Sequence, residues 1–94
     1  MPSNQPPLAV DDFAETNLFT IQLNVLTNDS DPDGDSFTVV RFTQPANGSV
    51  VESAPGIFLY ASNPLFCGLD TFTYTIRDSA GNESTATVTI NVLD

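Results

Sequence analysis

The sequence predicts an all-β protein, a seven-stranded antiparallel sandwich in which two sheets pack face to face. The first sign is composition, because eleven of the 94 residues are Thr and seven are Phe, and β-branched and aromatic residues favour strands. The second is that apolar residues recur at every second position in short runs. The third is that clusters of Asn, Asp, Gly and Pro separate these runs. A chain of this length can bury one modest core.

The first seven residues carry three prolines and no periodic apolar pattern, which indicates an extended linker over residues 1–7 and a single domain over residues 8–94. Within the domain, alternation from Ile21 to Val25 defines the second strand and alternation from Phe72 to Ile76 the sixth. The spacing of Phe37, Val39 and Phe42 slips from two to three, which predicts a β-bulge in the third strand. The predicted strands cover residues 8–14, 19–26, 36–43, 48–53, 57–61, 70–77 and 84–93.

Seven alternating strands place the two chain ends at opposite poles of the sandwich, so copies of such a domain could be joined end to end. The aromatic residues fit core positions, except Phe19, whose position is left open. The aromatic residues expected in the core are Phe13, Phe37, Phe42, Phe58, Tyr60, Phe66, Phe72 and Tyr74.

Twelve acidic residues against two arginines give a formal net charge of −10. Such a surface repels nucleic acids and anionic membranes and favours cations as partners, above all metal ions. Without His and with the single Cys67, the chain has no His-based triad, no His-ligated zinc site and no internal disulfide. No stretch is long and apolar enough to cross a membrane. No enzyme is expected, because one acidic loop on a compact sandwich offers no cleft between two catalytic carboxylates.

The segment from Asn28 to Asp35 is the strongest chemical signal, because Asp29, Asp31, Asp33 and Asp35 follow one another at every second residue. Carboxylates and amide oxygens are hard ligands, and Ca²⁺ takes six to eight of them in flexible geometry. The predicted ligands are Asn28, Asp29, Asp31, Asp33 and Asp35. Mg²⁺ fits less well because it prefers strict octahedra and retains water.

Two alternatives apply to this segment. Asp, Asn and Gly are good turn formers whose side chains cap their own backbone, which could explain one or two of them. The spacing also matches the start of an EF-hand loop, but Val40 stands where the EF-hand requires a bidentate Glu, and the flanking segments are strands.

Counting strand crossings puts the Asn28–Asp35 loop and the turn after Asp78 at the same pole, so Asp78 is a further candidate ligand. Asp12 and Asp11 lie early in the first strand and remain possible ligands, and Asp12 is included in the predicted site. Asp70 opens the sixth strand at the opposite pole and is expected only to cap a turn.

Four segments together resemble the bacterial cadherin-like, immunoglobulin-like tandem repeat. They are Asn-Gln-Pro-Pro-Leu-Ala-Val-Asp-Asp (4–12), Asn-Val-Leu-Thr-Asn-Asp-Ser-Asp-Pro-Asp-Gly-Asp (24–35), Thr-Gln-Pro-Ala-Asn-Gly-Ser-Val (43–50) and Gly-Leu-Asp-Thr-Phe-Thr-Tyr-Thr-Ile-Arg-Asp (68–78). The resemblance implies an Ig-like, cadherin-like β-sandwich associated with calcium, repeated in large extracellular bacterial adhesins and polysaccharide-degrading proteins. It also implies that the acidic loop and Asp78 carry the metal site.

Two positions depart from the pattern of the family. An acidic turn is common before the second strand, where this chain has Asn17-Leu18-Phe19, and Cys67 stands where a small polar residue is usual. The first departure puts any ligand from that turn in doubt, and the second indicates a buried or half-buried, inert thiol.

The leading functional hypothesis is a calcium-stabilised spacer or adhesion module of a secreted or surface-anchored bacterial protein. Its partners would be neighbouring repeats of the parent chain, and the isolated domain would be a monomer. The alternative is a module that binds carbohydrate or a cell-surface protein, which an exposed aromatic strip would favour.

Overall fold

A computed structural model describes residues 6–17 and 20–93 of the chain. All seven predicted strands are present in the described residues, and the largest difference is in the first. It begins at Asp12 instead of residue 8, and Leu8 forms only an isolated backbone bridge with Ser30. The strands are β1 (Asp12–Thr16), β2 (Thr20–Asn24), β3 (Phe37–Phe42), β4 (Gly48–Ala54), β5 (Ile57–Ser62), β6 (Gly68–Asp78) and β7 (Glu83–Val92).

The strands form two sheets, one with the order β1-β7-β6-β3 and the other with the order β2-β5-β4. The predicted Ig-like sandwich is therefore confirmed. One pairing departs from the antiparallel pattern, because β1 runs parallel to β7, with Asp12 beside Val88 and Thr16 beside Val92. β1 lies at the edge of the sheet that contains β7, and β1 and β7 run in the same direction. The chain then crosses to the other sheet to form β2.

The core fills the space between the sheets with the inward positions of β4 to β7 and Val25. Phe58 lies at its centre, with ring centroids 4.9 Å from Phe42 and 5.4 Å from Phe72 in edge-on arrangements that aromatic rings prefer. The buried apolar residues are Val25, Val50, Phe58, Tyr60, Phe72, Tyr74, Ile76, Ala86, Val88, Ile90 and Val92.

The predicted bulge is present in β3, where the register with β6 shifts between Val39 and Arg41. The extra residue, Val40, is exposed, while Phe37, Val39 and Phe42 pack against the core. The bulge thus restores the third apolar side chain to the interior, as the spacing in the sequence indicates.

Two predictions about burial are wrong. Phe13 is 63% exposed instead of part of the core, because β1 turns Asp12, Ala14 and Thr16 inward and places Phe13 on the outer face. Cys67 is exposed in the loop before β6, instead of buried or half-buried. Phe19 lies outside the described residues, as do residues 1–5 of the predicted linker.

The connections separate into two poles. The β2–β3 loop and the β6–β7 turn meet at the first pole, because Phe37 at the start of β3 pairs with Asp78 at the end of β6. The chain also enters there, where Leu8 bridges Ser30. We call this end the entry pole. At the opposite end, Gly68 pairs with Val92 near the end of the chain.

Candidate metal site

The β2–β3 loop is organised around the side chain of Asp31. Its Oδ1 atom accepts hydrogen bonds from the backbone N–H groups of Asp33 at 2.9 Å and Asp35 at 3.4 Å. Its backbone carbonyl accepts a third from Gly34, which has the positive φ of 73° that this turn requires and that glycine adopts without strain. Part of the acidic pattern is therefore explained by turn formation, because one carboxylate caps the loop.

The same turn brings the carboxylates of three aspartates close together. Oxygen atoms of Asp31, Asp33 and Asp35 lie within 4.8 Å of one another. Asp31 Oδ2 is buried and accepts no hydrogen bond from the described residues. A buried carboxylate oxygen without a donor is costly unless a cation, a bound water or a proton shared with the neighbouring Asp78 carboxylate satisfies it.

Asp78 borders this acidic loop from the β6–β7 turn. Its carboxylate is buried and accepts hydrogen bonds from the backbone of Ala80 at 3.0 Å and Asn82 at 2.8 Å, and it also contacts the side chain of Asp31. Burial alone would raise the pKa of Asp78, but hydrogen bonds from Asn82 and Ala80 outweigh it and hold the pKa below its usual value. The carboxylate of Asp78 is thus kept ionised, which is the form that can bind a metal ion.

The other predicted ligands surround the hydroxyl of Tyr74 instead. This hydroxyl lies 2.6 Å from Asp29 Oδ2, 3.2 Å from Asp12 Oδ2, 3.1 Å from the carbonyl oxygen of Val25 and 3.3 Å from that of Val10. A hydroxyl has one proton to donate, and the shortest distance assigns it to Asp29. Burial and this hydrogen bond raise the pKa of Tyr74.

Asp12 and Asn28 complete this second cluster, which we call the Tyr74 cluster. Burial raises the pKa of Asp12, the neighbouring Tyr74 hydroxyl and Asn28 amide partly lower it, and the negative charges of Asp29 and Asp11 raise it further. The amide of Asn28 donates to the backbone carbonyl of Asp11 at 3.3 Å. Asp11 also accepts a hydrogen bond from the backbone of Thr87, which ties the start of β1 to β7.

The predicted ligands therefore divide into two groups at the entry pole. Asp31, Asp33 and Asp35 come together with Asp78 beside them, whereas Asp12, Asp29 and Asn28 gather around Tyr74. The alternation in β6 predicts that Tyr74 points inward, and a buried tyrosine hydroxyl needs a partner, so that signal could have led to the second group. Asp70 is buried and accepts hydrogen bonds from Tyr60 and from the backbone of Asn47, far from both groups.

The chain has only two cationic side chains, and among the described residues neither forms an ion pair with the acidic loop. Arg41 and Arg77 both bind Glu83, with Arg77 Nη2 at 2.7 Å from Glu83 Oε2. Hydrogen bonds from Arg41 and then from Arg77 hold the pKa of Glu83 below its ordinary value. Arg77 and Glu83 pair across β6 and β7 beside the β6–β7 turn, so this cationic charge lies at the entry pole, where both arginines bind Glu83 and not the acidic loop.

A domain of two sheets in this strand order is an immunoglobulin-like β-sandwich, here with an acidic entry pole. A family model described as a bacterial Ig domain matches residues 4–91. The chain therefore belongs to the bacterial Ig domain family. Membership of this family supports a structural, extracellular module. The described residues contain no helix long and apolar enough to span a membrane.

Individual relatives are much longer than this chain. Protein GAMETE EXPRESSED 2 from Arabidopsis thaliana is 39% identical over 74 residues, which are 79% of this chain and 8% of that protein. A nucleoside hydrolase-related protein from Saccharophagus degradans, described as associated with carbohydrate metabolism, superposes with a TM-score of 0.68 at 20% identity over 97% of this chain and 26% of that one. An endo-fucoidan hydrolase of glycoside hydrolase family 107 gives a TM-score of 0.57 at 20% identity, over 93% of this chain and 13% of its own. At these identities the two structures show a shared fold.

Proposed function

We propose that this domain is a non-catalytic spacer within a larger secreted or surface-attached protein, and that calcium bound at the entry pole stiffens it. The observation that carries the proposal is the group of Asp31, Asp33 and Asp35 with its buried, unpaired Asp31 Oδ2 atom. Hydrogen bonding within the loop accounts for the other oxygen of Asp31, whereas this one accepts no hydrogen bond and the carboxylate of Asp78 contacts the same side chain.

The donor set fits calcium better than other common ions. It consists of carboxylate oxygens, which suit hard cations, and it lacks the His and Cys ligands that zinc and copper favour. Asp31, Asp33 and Asp35 would hold the ion, with Asp78 beside them. A loop with mixed burial and several carboxylates suits the flexible coordination of calcium better than the strict octahedron of magnesium.

The electrostatics of the fold give calcium a structural role. The formal charge is −10, and both arginines are engaged with Glu83 on the outer face of a sheet. Carboxylates crowded at one pole repel one another, and a divalent cation bound only by the folded loop would offset that repulsion and stabilise the native state by mass action.

The shape of the domain suits a spacer. Its principal extents are 54 × 18 × 18 Å, and the chain enters at one pole and leaves at the other. The matching region is a small share of each longer relative, between 8% and 26% of its length. Neighbouring domains of the same parent chain are therefore the proposed partners, and the isolated domain would be a monomer.

Thermal unfolding in EDTA, in millimolar calcium and in matched magnesium tests the calcium site. We expect calcium to raise the melting temperature and magnesium to raise it much less, with binding measured in parallel by calorimetry. Asp33→Asn should abolish the calcium response, and because Asp33 is exposed, this change should leave the fold intact.

Glu15→Gln is the matched control, because it removes the same charge from the outer face of β1, away from the acidic loop. Its calcium response should equal that of the native protein. Equal melts under all three conditions would refute the site. Equal loss of response in both variants would show that calcium acts only by screening bulk charge.

A further inference from the structure

β4 lies at an edge of the three-stranded sheet, where one side of the strand pairs with no other strand among the described residues. In an antiparallel pair, only alternate residues form hydrogen bonds with the partner strand. The N–H of Asn63 donates to the carbonyl of Asn47 at 2.8 Å, immediately before β4. The same register with β5 continues from Gly48 to Glu52. The backbone N–H and C=O groups of Val50, at the midpoint of that stretch, therefore point away from β5 toward the edge.

The side chain of Gln44 occupies this edge in place of a strand. The N–H of Val50 donates to Gln44 Oε1 at 2.9 Å, and Gln44 Nε2 donates to the carbonyl of Val50 at 3.0 Å. A side-chain amide carries a donor and an acceptor, as a peptide group does. Both edge groups of Val50 are therefore bonded as they would be by a further strand.

The two residues that flank Gln44 hold its side chain in position. The N–H of Thr43 donates to the carbonyl of Thr73 at 2.9 Å, and the N–H of Thr73 donates to the hydroxyl of Thr43 at 2.9 Å. These bonds continue the pairing of β3 with β6. Pro45 on the other side is buried, and its ring fixes the backbone φ. Gln44 thus reaches from the end of a strand in one sheet to the edge of the other sheet.

The edge of β4 has little other protection against pairing with another chain. Edge strands are commonly protected by charged side chains, by proline or by bulges, and β3 at the edge of the other sheet has both a bulge and Arg41. The regular part of β4 has no bulge, and its exposed Ser49 and Val51 carry no charge. The one acid of β4, Glu52, accepts a hydrogen bond from the N–H of Gly56 at 2.9 Å in the β4–β5 turn. The amide of Gln44 is therefore the main cover of this edge.

We propose that Gln44 closes the edge of β4 against strand addition, and that without its amide β4 pairs with β4 of a second copy. Two identical antiparallel strands can be centred on Val50, so that the two copies exchange both hydrogen bonds of this residue. The N–H and C=O groups that bind Gln44 in the monomer would then bind the second copy. This role is independent of the calcium site, because none of these residues belongs to the acidic loop.

Sedimentation velocity over a concentration series tests this role with Gln44→Ala and Gln44→Glu. Gln44→Ala opens the edge, so its dimerisation constant should exceed that of the native protein at least about tenfold. The dimer should strengthen with added salt, which screens the repulsion between two domains of charge −10. Gln44→Glu loses the donor to the carbonyl of Val50, but its charge still protects the edge. It should lose stability as Gln44→Ala does and yet remain monomeric.

A second pair of variants locates the contact. Val51 on β4 is 56% exposed, and Leu59 on the central strand β5 is 42% exposed. Gln44→Ala with Val51→Lys adds a charge to the edge strand and should be monomeric, whereas Gln44→Ala with Leu59→Lys should still dimerise. Hydrogen exchange at the amide of Val50 should be up to about tenfold faster in dilute, monomeric Gln44→Ala than in the native protein. It should slow again in the dimer.

Three results would overturn the proposal. One is that Gln44→Ala stays monomeric at every concentration and salt level, and another is that Gln44→Glu dimerises as strongly as Gln44→Ala. The third is that the two lysine substitutions affect the dimer equally.

Discussion

Replacing Tyr74 by Phe removes a single oxygen atom from the interior and keeps the ring that fills the core. Tyr74 is 0% exposed, and its hydroxyl lies 2.6 Å from a carboxylate oxygen of Asp29. Hydrogen bonds to charged groups contribute about 1.5–3 kcal/mol, so Tyr74→Phe should lower the free energy of unfolding by about that amount. Because about 1 kcal/mol shifts the melting temperature of such a domain by roughly 4–8 °C, the melting temperature should fall by at least about 6 °C.

Urea denaturation measures this loss, and Tyr60→Phe is the matched control at the other end of the domain. Tyr60 donates to Asp70 at 2.8 Å, so both variants should lose similar stability. Only Tyr74→Phe should speed hydrogen exchange at the amide of Val10, which donates to Asp29 at 2.8 Å. A loss below about 0.5 kcal/mol in Tyr74→Phe would refute the assignment of its proton to Asp29.

Three further predictions concern the core, alkaline pH and joined domains. Phe72→Ala should cost about 3–5 kcal/mol in urea, whereas Phe13→Ala should cost little, and equal losses would show that the inward faces are misassigned. Burial and hydrogen bonding raise the pKa of both Tyr60 and Tyr74 above the ordinary 10.0, so their contribution to stability is complete below pH 10 and is lost as pH rises beyond it. Absorbance should therefore report tyrosine ionisation together with unfolding, and a separate titration of the folded protein near pH 10 would contradict this. Two fused copies should give a larger maximum dimension by small-angle scattering in calcium than in EDTA, and an unchanged dimension despite measured calcium binding would confine the ion to a single domain.

The sequence predicts the strands well because side chains of a strand alternate strictly between two faces. That rule locates the bulge at Val40 and the inward ring of Phe72. It fails in the first strand, where Leu8 and Val10 alternate with Ala9 and Phe13, so apolar residues occur in both phases. In the structure Asp12 points inward and contacts the hydroxyl of Tyr74, which lies far along the chain. Phe13, the next residue, therefore points outward.

The position of the candidate site at the entry pole could be predicted from the sequence, but the division of its residues into two groups could not. Spacing by two treats Asp29 and Asp31 alike, yet one contacts Tyr74 and the other closes the loop. The difference depends on how deeply Tyr74 is set between the sheets, which no local pattern reveals. The binding of both arginines to Glu83 is equally non-local, because it requires the register of β3, β6 and β7.

The parallel pairing of β1 with β7 has a mechanical consequence. Five residues of β1, from Asp12 to Thr16, lie beside β7, and the two strands are the first and last of the domain. A pull on the two ends drags these strands in opposite directions along their own axes, so their hydrogen bonds are loaded in shear and must break together instead of opening one after another. Forced unfolding is governed by the rate of that first rupture. A domain pulled by its two ends would hold longest through this short terminal pairing.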